Sequence, residues 1–272
     1  MVNLVKVMKD TNHRAFNVLG NTAVVNFPED YKLQDKKDFA QLVLMKNPGI
    51  KTVLEKSRRF SGRLRKMQTK YVFGEKTKEI LYKENNCVFR FNIDDTYFSP
   101  RLSNERKEIA SMIKKGDRVL VMFAGVAPFS IVIAKNSQAG KIISNEINKK
   151  ANKYAQLNIE LNKVKDRVEL LQGDIKRLVK SRNSKLKEKF DVIVMPRPQL
   201  KDSFLKEAFA LSKKGTRIYY YDFTPEDKIE EVVEKVKQEA KNCNIAIKVI
   251  KQKRAGEIAP FKVRIRIDIQ VV

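Results

Sequence analysis

Four short stretches combine small, acidic and proline residues in an order that suits the rim of a ligand site. Phe123-Ala124-Gly125-Val126-Ala127-Pro128-Phe129-Ser130 follows an apolar run. Its small residues let backbone approach a ligand closely, and Pro128 fits the first turn of a helix. The spacing is not the GxGxxG dinucleotide fingerprint, so taken alone it also suits an ordinary strand-to-helix turn. Glu146 closes the next apolar run, where an acid can accept both hydroxyls of a ribose. Gly173-Asp174 closes the third and offers a carboxylate to an adenine amino group. Met195-Pro196-Arg197-Pro198 closes the fourth, and its two prolines make a stiff loop without N–H donors at those positions. Each acid taken singly also reads as a helix cap. Their recurrence at successive strand ends points to a nucleoside cofactor, with Ile147 and Met195 beside the same site.

Positioning these residues requires a sheet whose strands all end on one side. From about residue 103 onward, apolar strands alternate with helices. Strands are expected at Arg118–Phe123, Lys141–Ser144, Val168–Leu171, Asp191–Met195 and Thr216–Phe223. Between and around them, helices are expected at Ser103–Lys115 (with Gly116 as its stop), from Pro128, at Ile147–Asn162, near 175–182, at Ser203–Ser212 and at Pro225–Lys241. Continuous apolar strands separated by helices predict an α/β, Rossmann-like, mostly parallel sheet covered on both faces. Two last strands, Ile245–Ile250 and Val263–Val272, predict a terminal hairpin that adds an antiparallel strand.

Residues 1–100 read differently, as a small strand-rich α+β domain preceding the larger one at 101–272. Phe16–Leu19 and Ala23–Phe27 flank the turn Gly20-Asn21, and Gln34–Leu44 reads as a helix ending at Asn47-Pro48-Gly49. Further short strands are expected at Ile50–Leu54, Tyr71–Phe73, Glu79–Lys83 and Cys87–Ile93. Lys56–Lys66 reads as a basic loop, either contacting phosphate or simply solvated.

The net charge of +25 favours a polyanionic partner, nucleic acid first, because each neutralised phosphate releases counterions. A hydrophobic share of 42% excludes a wholly disordered chain. Cys87 and Cys243 form no metal-type spacing, and the single histidine, His13, sits in a polar stretch, so no metal site is expected. Reduced thiols, no signal-peptide core and no apolar run long enough to span a bilayer point to a cytoplasmic protein without a membrane partner.

Four stretches resemble the archaeal and eukaryotic tRNA (guanine-37-N1)-methyltransferase family, of the class I, S-adenosylmethionine-dependent kind. They are Tyr97-Phe98-Ser99-Pro100-Arg101-Leu102-Ser103-Asn104-Glu105-Arg106, Met122 to Ser130, the proline loop followed by Phe204-Leu205, and Ala259-Pro260. The likeness runs from about residue 14 to the C-terminus, and the small domain contributes Lys51 to Ser57 and Lys83-Glu84-Asn85. The resemblance implies that Phe123, Ala124, Gly125, Val126, Ala127 and Phe129 cradle the methionine part of S-adenosylmethionine. It places the ribose on Glu146 and the adenine end on Asp174 beside Gly173. It implies Arg101 near the target guanosine, and Pro196, Arg197 and Pro198 holding the target base. The partner implied is the anticodon stem-loop of tRNA, bound by residues 1–100 together with the larger domain of a monomer.

Three departures stand out against the family pattern: Val121 replaces an Asp, Ala127 a Gly, and Pro196 the Asn of an Asn-x-Pro loop. Arg197 is the one side chain there able to replace the lost amide at the guanine edge. The family's separate N-terminal domain, which touches the outer corner of tRNA, is expected to be absent. A flipped target base is expected at Phe98 or at the proline loop, although Phe98 reads equally well as core. Competing readings are an aminocarboxypropyl transferase or wyosine-type methyltransferase of the wybutosine pathway, and a non-catalytic basic RNA-binding module. Phe98-Ser-Pro-Arg101 favours methyl transfer.

Overall fold

A computed structural model describes residues 16–61 and 66–272, so His13 and part of the basic stretch at 56–66 lie outside the described residues. The chain divides into two compact units, one reaching Glu84 and resuming over Val88–Phe98, the other comprising Asn85–Cys87 and Ser99–Val272.

In the first unit β1 (Phe16–Leu19) and β2 (Thr22–Val25) form an antiparallel hairpin. Its Gly20 has φ +58°, and a Cβ there would stand 2.0 Å from the Leu81 carbonyl oxygen, so the turn admits only glycine. Helix α1 (Leu33–Lys46) leads to β3 (Thr52–Ser61), parallel to β2, and β4 (Lys66–Gly74), antiparallel to β3. Phe39, Ala40 and Val43 form one helical stripe and bury it against Ala23, Val25, Val53 and Val72. The expected basic loop is corrected here. Lys56 pairs with Thr69 and Ser61 with Lys66, so most of that stretch is strand, held by a ladder that composition does not reveal. β5 (Glu79–Glu84) and β6 (Cys87–Asn92) form a separate hairpin through Asn85-Asn86, both at positive φ as a type I′ turn requires.

The second unit begins with a 3₁₀ turn (Pro100–Leu102) and α2 (Ser103–Ser111). There follow β7 (Val119–Val121), α3 (Pro128–Asn136), β8 (Ile142–Glu146), α4 (Lys149–Leu161), β9 (Val168–Gln172) and α5 (Ile175–Lys180). The remainder is β10 (Phe190–Met195), α6 (Leu205–Ala210), β11 (Ser212–Pro225), α7 (Ile229–Asn242), β12 (Ile247–Ala259) and β13 (Lys262–Val271). Seven strands form one sheet in the order β12-β13-β11-β10-β7-β8-β9. All neighbouring pairs from β11 to β9 are parallel, and β13 runs antiparallel between β11 and β12. The two central strands carry continuous apolar runs because both their faces are covered: Val119 to Val121 and Val192 to Met195 are all fully buried.

Helix α2 stops at Ser111, short of the expected Lys115. Arg217 Nη1 donates to the Met112 carbonyl at 2.5 Å, and the Asp117 carboxylate accepts from the Lys114 N–H at 2.6 Å. Those side chains satisfy the helix end before Gly116 is reached. From β7 the chain winds outward through β8 and β9 on one side and through β10 and β11 on the other. The order therefore reverses between β7 and β10, and the crevice outside the carboxyl ends of these strands is where such sheets bind ligands.

Candidate functional site

The loop after β7 takes its shape from three residues in the left-handed region, Phe123 at φ 58°, Gly125 at 59° and Ala127 at 65°. A Cβ in that region costs about 1–2 kcal/mol, which makes Ala127 a strained position where glycine is preferred. Ala127 is also the N-cap of α3, and Pro128 occupies the first turn as its fixed φ allows. Position 121 is a fully buried strand residue between β10 and β8, so an apolar Val121 fits its surroundings.

Glu146, at the end of β8, is not a helix cap. Its Oε2 accepts from the Gly125 N–H at 2.7 Å and its Oε1 from the Asn148 N–H at 2.7 Å, while Asn148 caps α4. Burial raises the Glu146 carboxyl pKa above the ordinary value of 4.5, against the pull of backbone N–H groups from Asn148, Gly125 and Ile147. The Glu146 carbonyl accepts from the Gly173 N–H at 2.9 Å, and the Asn145 amide donates to the carbonyls of Leu171 at 2.9 Å and Gly173 at 3.1 Å. The Ala124 N–H in turn reaches the Asn145 carbonyl at 2.8 Å. Gly125, Glu146 and Gly173-Asp174 thus form one hydrogen-bonded rim across three adjacent strand ends. Asp174 also caps α5, its carboxylate accepting from the Lys176 N–H at 3.0 Å. Phe123 is half-buried and meets Phe204 edge-on at 4.9 Å.

The loop after β10 corrects one expectation. The Arg197 side chain is only 2% exposed and turns into the protein, away from any guanine-facing position. Its guanidinium donates to the carbonyls of Pro198 at 3.2 Å and Leu200 at 3.0 Å, pairs with Asp222 at 3.3 Å, and lies over the Tyr220 ring at 5.6 Å. Buried anions and carbonyls from β11 and from the loop itself outcompete an outward pose. Phe98 is likewise a core residue, stacked on Phe91 at 4.7 Å in the first unit, and not a receiver of a flipped base.

Residues 80–249 match the family described as the TRM5/TYW2 methyltransferase domain. The chain belongs to this family. Residues 4–77 match the TYW2 N-terminal domain. Among this methyltransferase's relatives is the tRNA (guanine(37)-N(1))-methyltransferase Trm5b of Pyrococcus abyssi, 30% identical across the whole of this chain and 79% of the relative. The crystal structure of that Trm5b superposes with a TM-score of 0.82, covering 98% of this chain and 77% of the other. The tRNA (guanine(37)-N(1))/4-demethylwyosine(37)-methyltransferase Taw22 of Nanoarchaeum equitans is 31% identical over 95% of this chain and all of the relative. P. horikoshii TYW2, solved in complex with MeSAdo, shares the fold at a TM-score of 0.80 and 21% identity, covering 99% and 98% of the two chains.

The turn that carries Arg101 is held by residues that sequence reasoning passed over. Arg101 is exposed on the 3₁₀ turn before α2. Arg106, one turn into α2 and 1% exposed, donates to the Ser99 carbonyl at 3.0 Å and lies 5.7 Å over the Phe129 ring. It therefore fastens the Arg101 turn to the first turn of α3. Beneath it, Arg266 is fully buried and binds Glu105 at 2.7 Å, Glu108 at 2.8 Å and Asp268 at 2.7 Å. The Tyr221 hydroxyl donates to Glu105 at 2.9 Å, and Lys253 pairs with both glutamates. Arginines and acids at buried positions of α2 and β13 were the available signal. The alternation Arg264-Ile-Arg266-Ile-Asp268 hides it, because that pattern also describes a half-solvated strand. Among the described residues no cluster of metal-ligating side chains occurs, and no helix is long and apolar enough to cross a membrane.

Proposed function

We propose that this chain transfers the methyl group of S-adenosylmethionine to N1 of guanosine 37 in tRNA. The observation that carries the reading is the bonded rim of Gly125, Glu146 and Gly173-Asp174 across the carboxyl ends of β7, β8 and β9, starting beside the switch point of the sheet. S-adenosylmethionine supplies a methyl group on a cationic sulfur. The residues present fit it. Three backbone N–H groups bond the Glu146 carboxylate, whose two oxygens have about four acceptor positions, so one is left to accept a ribose hydroxyl. The Asp174 carboxylate, held at the N-cap of α5 beside the end of β9, is the group offered to the adenine amino group. The left-handed turns at Phe123, Gly125 and Ala127 bring main chain, in place of side chains, to the methionine end.

On the substrate side, Arg101 offers a cation to charge developing on guanine O6 as N1 loses its proton. Pro196 and Pro198 hold the base-facing edge of the loop, and Arg197 acts from behind as a positioning residue that fixes their geometry. The net charge of +25 supports phosphate binding by both units, with residues 1–100 contributing part of the RNA surface.

A second reading, methylation of 4-demethylwyosine at the same position, draws support from full-length similarity to the dual-activity Taw22. Incubation with unmodified tRNA and labelled cofactor, followed by mass analysis of the released nucleosides, separates the possibilities. N1-methylguanosine at position 37 is expected. An aminocarboxypropyl adduct, or no product except on wyosine precursors, overturns the first reading. Arg101→Ala is expected to lower turnover at least tenfold with cofactor binding unchanged. Unaltered turnover removes Arg101 from the site.

A further inference from the structure

The hairpin that completes the seven-stranded sheet carries an exposed aromatic ring on a strained backbone. β12 and β13 are joined through Pro260 and Phe261, with Ala259 opposite Lys262. Proline at the first corner and positive φ at the second is the type II pattern, whose second corner favours glycine or asparagine. Here the second corner is Phe261, at φ 57° and 84% exposed. The residue bears left-handed strain and gains no core burial in return. Its carbonyl accepts from the Glu226 N–H at 3.1 Å, so the main chain at the tip is fixed. Two cations belong to the same tip: Lys262 follows directly, and Arg254 pairs with Glu226, the residue whose N–H holds the turn.

Register places this tip over the ligand end of the sheet. Tyr220 of β11 lies opposite Met195, the last residue of β10, and β11 continues to Pro225, opposite Lys262. The turn therefore stands about 16 Å beyond the strand end from which the proline loop leaves, at roughly 3.3 Å per residue.

We infer that Phe261 is a stacking platform for an unpaired base of the RNA, beside the nucleotide to be modified. This rests on the reading of the chain as a tRNA methyltransferase. Drawing a target base out of its stack leaves neighbouring bases without a partner. An aromatic face replaces that partner for any base, and stacking of this kind is worth roughly 5- to 100-fold in affinity. The flanking Arg254 and Lys262 suit the phosphates on either side.

Three variants of the full chain, Phe261→Gly, Phe261→Ala and Phe261→Trp, test this by tRNA binding, single-turnover methyl transfer and calorimetry with S-adenosylmethionine. Phe261→Gly is expected to melt a few degrees higher, because the strain is relieved, yet to bind tRNA about 5- to 50-fold more weakly, with cofactor affinity unchanged. Phe261→Ala is expected to weaken tRNA binding similarly without the gain in melting temperature, and Phe261→Trp to bind like the parent. Full tRNA affinity in Phe261→Gly, or weak binding in Phe261→Trp, overturns the inference while leaving the methyltransferase reading standing. A change in oligomeric state in place of RNA affinity assigns the ring to a contact between copies and also overturns it. A parent chain that transfers nothing to tRNA removes both readings together.

Discussion

Two polar clusters in the second unit look alike in composition and differ in what they leave unused. The rim of Gly125, Glu146, Asn145 and Gly173 is built mostly from main-chain groups, and its carboxylate keeps acceptor capacity. The network of Arg266, Glu105, Glu108, Asp268, Lys253 and Tyr221 is built from side chains, and its acids are satisfied by cations and a hydroxyl. A site for a ligand needs acceptors held in place with capacity in reserve. A structural network needs none in reserve, because an unpaired buried charge is expensive.

The sharpest break between the two is expected from Arg266→Met. Three carboxylates lose their shared cation, and denaturant unfolding is expected to show a loss of about 3–5 kcal/mol or failure to fold. A loss below about 1 kcal/mol would place Arg266 outside the framework. Glu146→Gln is expected to do the reverse. Cofactor affinity falls about 10- to 100-fold by calorimetry, as charged acceptors are lost, while unfolding changes far less than for Arg266→Met. The same carboxylate gives a pH signature. Its raised folded-state pKa means that the acceptor is charged above that value and protonates as pH falls through it, so affinity declines on acidification before an ordinary carboxylate titrates. Glu146→Gln should flatten that part of the profile.

Glu108 behaves oppositely. Burial opposes its ionisation, but Arg266 and Lys253 hold its pKa down to about 2. Its stabilising contribution is present above about pH 4.5 and is lost between there and pH 2, which an acid unfolding titration of the parent chain should show. Arg197→Met is expected to lower kcat/KM for tRNA about tenfold by releasing the Pro198 and Leu200 carbonyls, with cofactor affinity within about twofold of the parent. An equal loss of cofactor binding would point to general damage. The smallest effect is expected from Ala127→Gly, which relieves strain at φ 65° and raises stability by about 0.5–1 kcal/mol in thermal melts.

Much of the parallel sheet was legible because its strands carry apolar runs and its helices begin and end on recognisable residues. The acceptors on the rim were legible by type, since Glu146 and Asp174 each follow an apolar run. Arg197 was not, because its inward pose depends on Asp222 and Tyr220 from another strand. Arg217, far away in sequence, ended α2 early for the same reason. The basic stretch after Glu55 misled because pairing with β4, and not composition, makes it strand. The length of β11 was underestimated at both ends: Ser212 pairs with Phe190 of β10 ahead of the apolar run, and Thr224 and Pro225 pair only with β13 beyond it.

The position of β13 has a consequence for how the enzyme is made. β13 follows both β11 and β12 in the chain yet slots between them, and it brings the arginine that binds Glu105 and Glu108. Until it arrives, the Glu105 and Glu108 carboxylates of α2 have Lys253 of β12 but lack the Arg266 guanidinium that joins them. Nascent chains are therefore expected to become competent only once β13 has been made, and a cut between β12 and β13 would disarm the catalyst without touching its rim.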